Sequence, residues 1–449
     1  MGAYDVVVLG GGTAGTHVAT EVARAGKTVA LVEAGLIGGE SPYLADLPAQ
    51  SLRLSAARGE SWADAVAHRD EVTGGLSDAA AGQTLSDAGV TVIRGTGKVT
   101  APGTVTAGDE LTYTDLVIAT GSEPVAPPIE GLADVAAWTT AEGLSSPDLP
   151  RRLIVLGGGP AGCELAQIYA AFGSQVTLVE TEERLLPGEP AFTGEILAGA
   201  LRRAGVEINL GSAAAKAERT GDGLTLGLAD GTRIDANRLL LATGRRPRLS
   251  DLGLDVLGIT VVPGAALPTT TTCQVIEHVW AAGDVTGTGH THIGSYQAGI
   301  VAANLTGGSR EADYSALPRA VFTSPEVFTV GTVTGEGLVT ARAYLATTAR
   351  AQAAGGTSGQ HYCLELYADP ASGVLAGGAA VGPDAAAWMA EITLAIRARI
   401  PVTVLADVVH TFPAHAEALA EALESIQRQA VPAQTTGGQS GERNGHGNS

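Results

Sequence analysis

Residues 4–33, YDVVVLGGGTAGTHVATEVARAGKTVALVE, decide the architecture. Residues 5–9 are a short, β-branched apolar run, the pattern of a parallel strand buried on both faces. Gly10, Gly12 and Gly15 follow as GxGxxG, and Val18, Val22 and Ala25 recur at helical spacing. Gly26 stops that helix, and residues 28–32 form a second strand that closes on Glu33. The combination has a chemical reason. Glycines let the backbone approach a pyrophosphate at a helix N-terminus, where unpaired N–H groups and the helix dipole favour an anion. An acid at the end of the second strand accepts hydrogen bonds from ribose hydroxyls. A GxGxxG framed by two strands and such an acid specifies a dinucleotide site.

Residues 152–180, RLIVLGGGPAGCELAQIYAAFGSQVTLVE, repeat the unit through Gly157, Gly159, Gly162 and Glu180. Glu33 stands 23 positions after Gly10, and Glu180 stands 23 after Gly157. Each unit also carries a later strand ending in Ala-Thr-Gly, at residues 119–121 with Thr120 and Gly121, and at residues 242–244 with Gly244. Two bound dinucleotides are expected. Residues 278–284, HVWAAGD, read as a strand ending on Asp284, and the segment after it becomes helical by about Tyr296. Residues 62–87 read as helical, and residues 90–93 as a strand. From Ala316 the character changes to strands followed by helices at 385–399 and from about Ala414, the pattern of a separate α+β domain.

Composition excludes several classes. With 27 Lys and Arg against 47 Asp and Glu, the net charge of −20 disfavours nucleic acid or an anionic membrane as partner. The 3 cysteines, Cys163, Cys273 and Cys363, are far apart and show neither metal spacing nor a disulfide framework, so no metal is expected. The first strand opens within a few residues of Met1, and no apolar run spans a bilayer, so a cytoplasmic location is the expectation.

With these motifs in place, the chain resembles the two-dinucleotide pyridine nucleotide–disulfide oxidoreductases, the family of lipoamide dehydrogenase and mercuric reductase. The resemblance rests on both fingerprints, both Ala-Thr-Gly turns, the WAAGD strand, VFTSPEV and the final helix, over roughly residues 4 to 425. It implies an α/β protein with two Rossmann-like domains, for FAD and NAD, and a C-terminal α+β dimerisation domain. The expected divisions are 1–150 and 271–312 for the FAD domain, 151–270 for the NAD(P) domain and 313–430 for the interface of a homodimer. Residues 431–449 read as a disordered tail. By the same resemblance Asp284 meets the ribityl–phosphate region of FAD, His292 passes the pyrimidine end of the flavin, and Glu164 lies near the nicotinamide. Glu180 favours NADH over NADPH, because a carboxylate repels a 2′-phosphate; the counter-reading is that Arg184 swings in to neutralise it.

The chain departs from the family pattern at one place. Members carry a redox disulfide as GG-T-C-x4-C-x-P-S-K; here Gly38, Gly39 and Pro48 set the register, and Ser41 and Asp46 occupy the cysteine positions. Gln50 stands at the family lysine, leaving Glu164 without its cation. Near the C-terminus Phe412 replaces the catalytic histidine, with His410 and His415 reading as surface or packing residues. The expected activity is direct electron transfer between an NADH-linked flavin and a small, conjugated or quinone-like substrate, not dithiol–disulfide exchange. Asp46 is the candidate base or orienting acceptor and Ser41 a donor. A redox-silent scaffold, or FAD-assisted acid–base chemistry, competes with that reading, and the direction of electron flow stays open.

Overall fold

The computed structural model describes residues 2–135, 137–221, 223–355 and 361–430; the expected tail at 431–449 lies outside them. The chain divides into two compact units, one running to Phe328 and including Val381–Ala386, the other built from Thr329–Ala380 and the described residues from Ala387 onward.

In the first unit the strand Gly2–Leu9 lies centrally. It pairs in parallel with Val29–Glu33 on one side and with Asp109–Ile118 on the other. Val90–Arg94 and Val279–Ala281 extend the sheet in parallel at its two flanks, so the chain leaves this sheet and returns to it more than a hundred residues later. Val6, Val7 and Val8 have no exposed surface, as strands covered on both faces require. Burying each contributes roughly 1.5–3 kcal/mol. The helices Thr13–Arg24 and Thr291–Leu305 pack together on one face, joined by Val18, Val22, Ala298 and Val301.

The second fingerprint builds its own parallel sheet within the same unit, in the order Glu207–Asn209, Gln175–Val179, Arg152–Leu156, Arg238–Leu241, Trp138–Thr139. A three-stranded antiparallel sheet, Ala214–Thr220, Gly223–Leu228 and Arg233–Ala236, lies beside it and shares its core through Leu224, Leu226 and Leu239. Connecting segments from the two nucleotide folds meet where Ser122–Pro124 pairs antiparallel with Arg245–Pro247.

In the second unit Val339–Tyr344 pairs antiparallel with Cys363–Asp369. The helix Ala416–Ala430 covers these strands with Ala418, Leu419, Ala422, Leu423 and Ile426, all fully buried at helical spacing. His410 pairs with Glu391 at 3.3 Å and the His415 ring lies 6.4 Å from that of Trp388. Leu394, Val404, Val408, Val409 and Phe412 remain exposed, Val409 at 95% and Phe412 at 73%. Exposed apolar side chains in such number suit contact with another chain.

Three elements differ from the sequence reading. Residues 62–87 are two helices, Trp62–Val72 and Ala79–Asp87, parted where Gly74 and Gly75 take φ of +61° and +60°. The expected helix at 385–399 is two pieces, Ala385–Trp388 and Ala390–Arg397. The helix expected by Tyr296 begins at Thr291. Gly294 and Ser295 have weak helix propensity, but Gly294 packs so near Gly283 that an added Cβ would lie 3.2 Å from its Cα. Tertiary contact overrides propensity there, and it puts Thr291 on a rigid element.

Candidate active site

Both fingerprints open into one cavity of about 1780 Å³ inside the first unit. Of the residues singled out in the sequence, Gly10, Gly12, Glu33, Ser41, Asp46, Gln50, Thr120, Gly121, Gly157, Gly159, Glu164, Glu180, Gly244, Asp284 and His292 all line it. Gly15 and Gly162 do not. They sit where each helix presses on its own turn: a Cβ at either would lie 1.9 Å from the carbonyl oxygen of Gly10 or Gly157. The middle glycines behave oppositely. A Cβ at Gly159 would meet nothing within 4 Å, and one at Gly12 nothing nearer than the Gly39 Cα at 3.9 Å. Open space at a helix N-terminus, with a close-packed turn behind it, fits a pyrophosphate in each half.

The two acids order the turns they face. The Glu33 carboxylate accepts the N–H groups of Gly11 and Gly35, both at 2.5 Å. Glu180 accepts the Gly158 N–H at 2.5 Å, the Thr181 hydroxyl at 2.9 Å and the Glu182 N–H at 2.9 Å. Arg184 does not reach it; its terminal nitrogens donate to the carbonyls of Glu189 at 2.6 Å and Pro187 at 2.5 Å.

The wall contributed by Ser41–Leu44 and Asp46–Ala57 carries Ser41, Asp46 and Gln50. The Ser41 hydroxyl donates to Asp46 Oδ2 at 2.6 Å, and Thr291, at the start of its helix, donates to the same oxygen at 2.6 Å. One carboxylate oxygen is thus held by two hydroxyls from distant parts of the chain. Gln50 turns along its helix and accepts from Arg53 Nε at 2.9 Å.

The sequence reading missed Arg53. Its guanidinium, one turn beyond Gln50, acts on Glu164 through charge. Its pull is outweighed. Burial pushes the Glu164 carboxyl up to about 7, and the negative charge of Asp46 adds to the rise, against the Phe322 N–H bond and Arg53. The Phe322 N–H donates to Glu164 Oε1 at 2.7 Å. Sequence spacing alone gave no sign of Arg53, which lies off the family motif.

Asp284 accepts the Ser122 hydroxyl at 2.5 Å, and Arg245 donates to that hydroxyl oxygen from Nε at 2.7 Å and to Glu40 at 2.6 Å. This ionic chain from Asp284 to Glu40 was not read from the sequence. His292 donates from Nε2 to the Pro318 carbonyl at 2.8 Å and stacks on His290, ring centroids 5.4 Å apart. Burial, followed by the neighbouring His292 and Arg319, lowers the His290 pKa.

None of the three cysteines lines the cavity; all are free and buried. Burial pushes each thiol pKa up, that of Cys363 to about 11, which leaves them inert core residues. Among the described residues no group of three or more His, Cys, Asp or Glu is placed to hold a metal, and no helix is long and apolar enough to cross a membrane.

Two Rossmann folds opening on one cavity define a two-dinucleotide oxidoreductase. Residues 4–303 match the family described as pyridine nucleotide-disulphide oxidoreductase and residues 317–423 match its dimerisation domain, so the chain belongs to that family. It is 29% identical to dihydrolipoyl dehydrogenase 3 of Haloarcula marismortui, over 95% of this chain and 97% of that one. It is 35% identical to the mercuric reductase of Shigella flexneri, over 70% of this chain and 57% of that one. The Cu(II) complex of the HOCl-induced flavoprotein disulfide reductase RclA from Escherichia coli superposes with a TM-score of 0.87, at 26% identity, covering 95% of this chain and 100% of RclA. The chain is a flavin-dependent pyridine nucleotide oxidoreductase with FAD and NAD(H) as cofactors, and its dimerisation domain supports a homodimer.

Proposed function

We propose that this protein passes electrons from NADH, by way of FAD, directly to a small conjugated, quinone-like acceptor, without a thiol relay. The observation that carries the reading is the 2.6 Å hydrogen bond between Ser41 and Asp46, at the two positions where the family pattern calls for the redox cysteines. Neither side chain can form a disulfide or a thiolate. The three cysteines lie buried outside the cavity and offer no substitute.

The first fingerprint takes FAD and the second takes the nicotinamide nucleotide. FAD, once bound, supplies the hydride-accepting and electron-donating chemistry. The chain's own residues bind, orient and handle protons. Gly12 and Gly159 offer the open backbone for the two pyrophosphates, and Glu33 and Glu180 take the riboses. Asp46, braced by Ser41 and Thr291, orients the acceptor's polar end and serves as the acid–base group there. NADH is preferred over NADPH: a 2′-phosphate would meet the Glu180 carboxylate, and Arg184 already commits both terminal nitrogens to backbone carbonyls.

An anaerobic titration of the FAD-loaded protein with NADH tests the reading. The flavin band bleaches, a quinone restores it, and iodoacetamide pretreatment changes neither step. Bound FAD that neither NADH nor NADPH reduces would overturn the reading.

A further inference from the structure

Glu164 is the fifth residue of the helix Pro160–Ala171, whose N-terminus carries the second fingerprint. In that half Glu180 fixes the adenosine end of a nucleotide and the helix N-terminus fixes its pyrophosphate. The remaining nucleoside must run the other way along the cavity, toward the wall that carries Asp46 and Gln50. Glu164 lines the cavity on a helix that packs against the helix Asp46–Ala57, and the Asp46 charge acts on it. Its Oε1 is anchored by the Phe322 N–H, while Oε2 makes no hydrogen bond among the described residues.

We propose that Glu164 makes the nicotinamide subsite selective for redox state, by giving up its proton when the cationic oxidised ring is present and regaining it when the neutral reduced ring returns. The inference rests on the second site being the nicotinamide site and is independent of the acceptor's identity. An ionised carboxylate beside a cationic ring is stabilising, and a neutral acid tolerates a neutral ring. The balance is simple. With the hydride and its electron pair passed to a bound flavin, the ring would carry one positive charge, and Glu164 would release up to one proton to solvent in the cavity.

A group can act so at neutral pH only if it is poised there, and burial with the Asp46 charge holds the Glu164 carboxyl near 7. The charged groups acting on it are Asp46 and Arg53, both from the helix Asp46–Ala57. The charges on the other elements packed on its helix are not among the groups that shift it. Pro318–Val321 brings Arg319, bonded to Glu189 at 2.7 Å, and Thr140–Ser145 brings Glu142, which closes a capping box with Thr139. Arg152–Leu156 brings Arg152, Ala191–Arg203 brings Glu195, Arg202 and Arg203, and Gln175–Val179 brings none.

The test uses the oxidised, FAD-loaded protein in weakly buffered solution near neutral pH with an indicator dye. Binding of NAD+ releases about 0.4 proton per site if the ring lowers the carboxyl pKa by about one unit, and NAD+ affinity rises about fivefold from about pH 6 to about pH 8.5. ADP-ribose, which lacks the ring, binds without release. In Glu164→Gln the NAD+ release disappears and the affinity loses its pH dependence. Equal release with ADP-ribose, or release undiminished in the variant, overturns the inference. Should the variant lose FAD, the wild-type difference between NAD+ and ADP-ribose decides alone. Failure of both ligands to bind would overturn the nicotinamide assignment beneath it.

Discussion

The two fingerprints share the same close approaches, whereas the segments that leave them are built differently. A Cβ at Gly15 or Gly162 would lie 1.9 Å from a carbonyl oxygen of its own turn, and one at Gly10 or Gly157 would lie 2.3 Å from Ala119 or Ala242. The turn N–H bonds to Glu33 and Glu180 are both 2.5 Å. Beyond Glu33 the chain enters two helices that put Ser41, Asp46 and Gln50 into the cavity. Beyond Glu180 it folds back on itself, with Arg184 bonded to the carbonyls of Pro187 and Glu189. The cradle repeats because backbone sterics permit little else. The segment after the acid is under no such constraint, and the chemistry of this chain is written there.

The largest effects should come from breaking the shared part on one side only. Gly15→Ala forces a Cβ into the Gly10 carbonyl, in the turn that leaves the central strand of the first fold; the expected product holds no FAD and does not accumulate as folded protein. Gly162→Ala commits the same offence in the second fold. It should keep the flavin spectrum and lose NADH-driven bleaching by at least about 100-fold. If Gly162→Ala also loses FAD, the two cradles are not independent, and the comparison fails.

Changes at the part that differs should separate the two half-reactions. Asp46→Asn cannot serve as an acid–base group, so reoxidation of the reduced protein by quinone should slow by about 10- to 100-fold. Bleaching by NADH should change by less than about threefold, since the hydrogen bonds of Asp46 go to Ser41 and Thr291 and not to the second fingerprint. Rapid-mixing measurements of each step decide it. Equal losses in both steps would mean that Asp46 supports the cavity and plays no part at the acceptor.

These positions also mark how far the sequence could be read. The cradles and their acids come from patterns that local sterics and periodicity enforce. The return of Val279–Ala281 to the first sheet, and the placement of Asp46 and Ser41 by the register of Gly38, Gly39 and Pro48, were what the family resemblance implied. The Thr291 bond to Asp46 spans 245 positions and depends on a helix start that a Gly–Gly contact creates. Arg53 acts on Glu164 through charge from one turn beyond Gln50, a position that a positional motif cannot register. The chain of Asp284, Ser122, Arg245 and Glu40 joins segments that no spacing rule connects. What escaped the sequence is side-chain pairing across long separations.

A smaller effect is expected from Glu180→Ala, which removes the ribose acceptor and the carboxylate that repels a 2′-phosphate. NADH affinity should fall about tenfold, the scale of roughly one good hydrogen bond to a charged group, while NADPH affinity changes little or improves. The ratio of the two, measured by binding to the oxidised protein, is the sharper readout. An unchanged ratio would place discrimination elsewhere, with Arg184 the first residue to examine.

The smallest expected effect concerns stability and again turns on a difference between the folds, for where the second helix has Glu164 the first has His17 at matching register. The Glu164 carboxyl is raised to about 7 in the folded chain, mainly by burial and then by Asp46. Between the ordinary carboxyl range and that value the folded state keeps a proton that the unfolded state gives up. Its contribution is therefore present in acid and lost as pH rises through 7. Glu164→Gln carries no such loss. Relative to wild type, the variant should gain on the order of 1–2 kcal/mol between about pH 5 and about pH 8.5, discounted for solvent in the cavity. In a chain of this size that is a rise of about 1–2 °C in thermal midpoint at the alkaline end and none at the acid end. A shift of equal size at both ends would mean that the substitution repacks the helix, and that the ionisation of Glu164 contributes nothing to the pH dependence of folding.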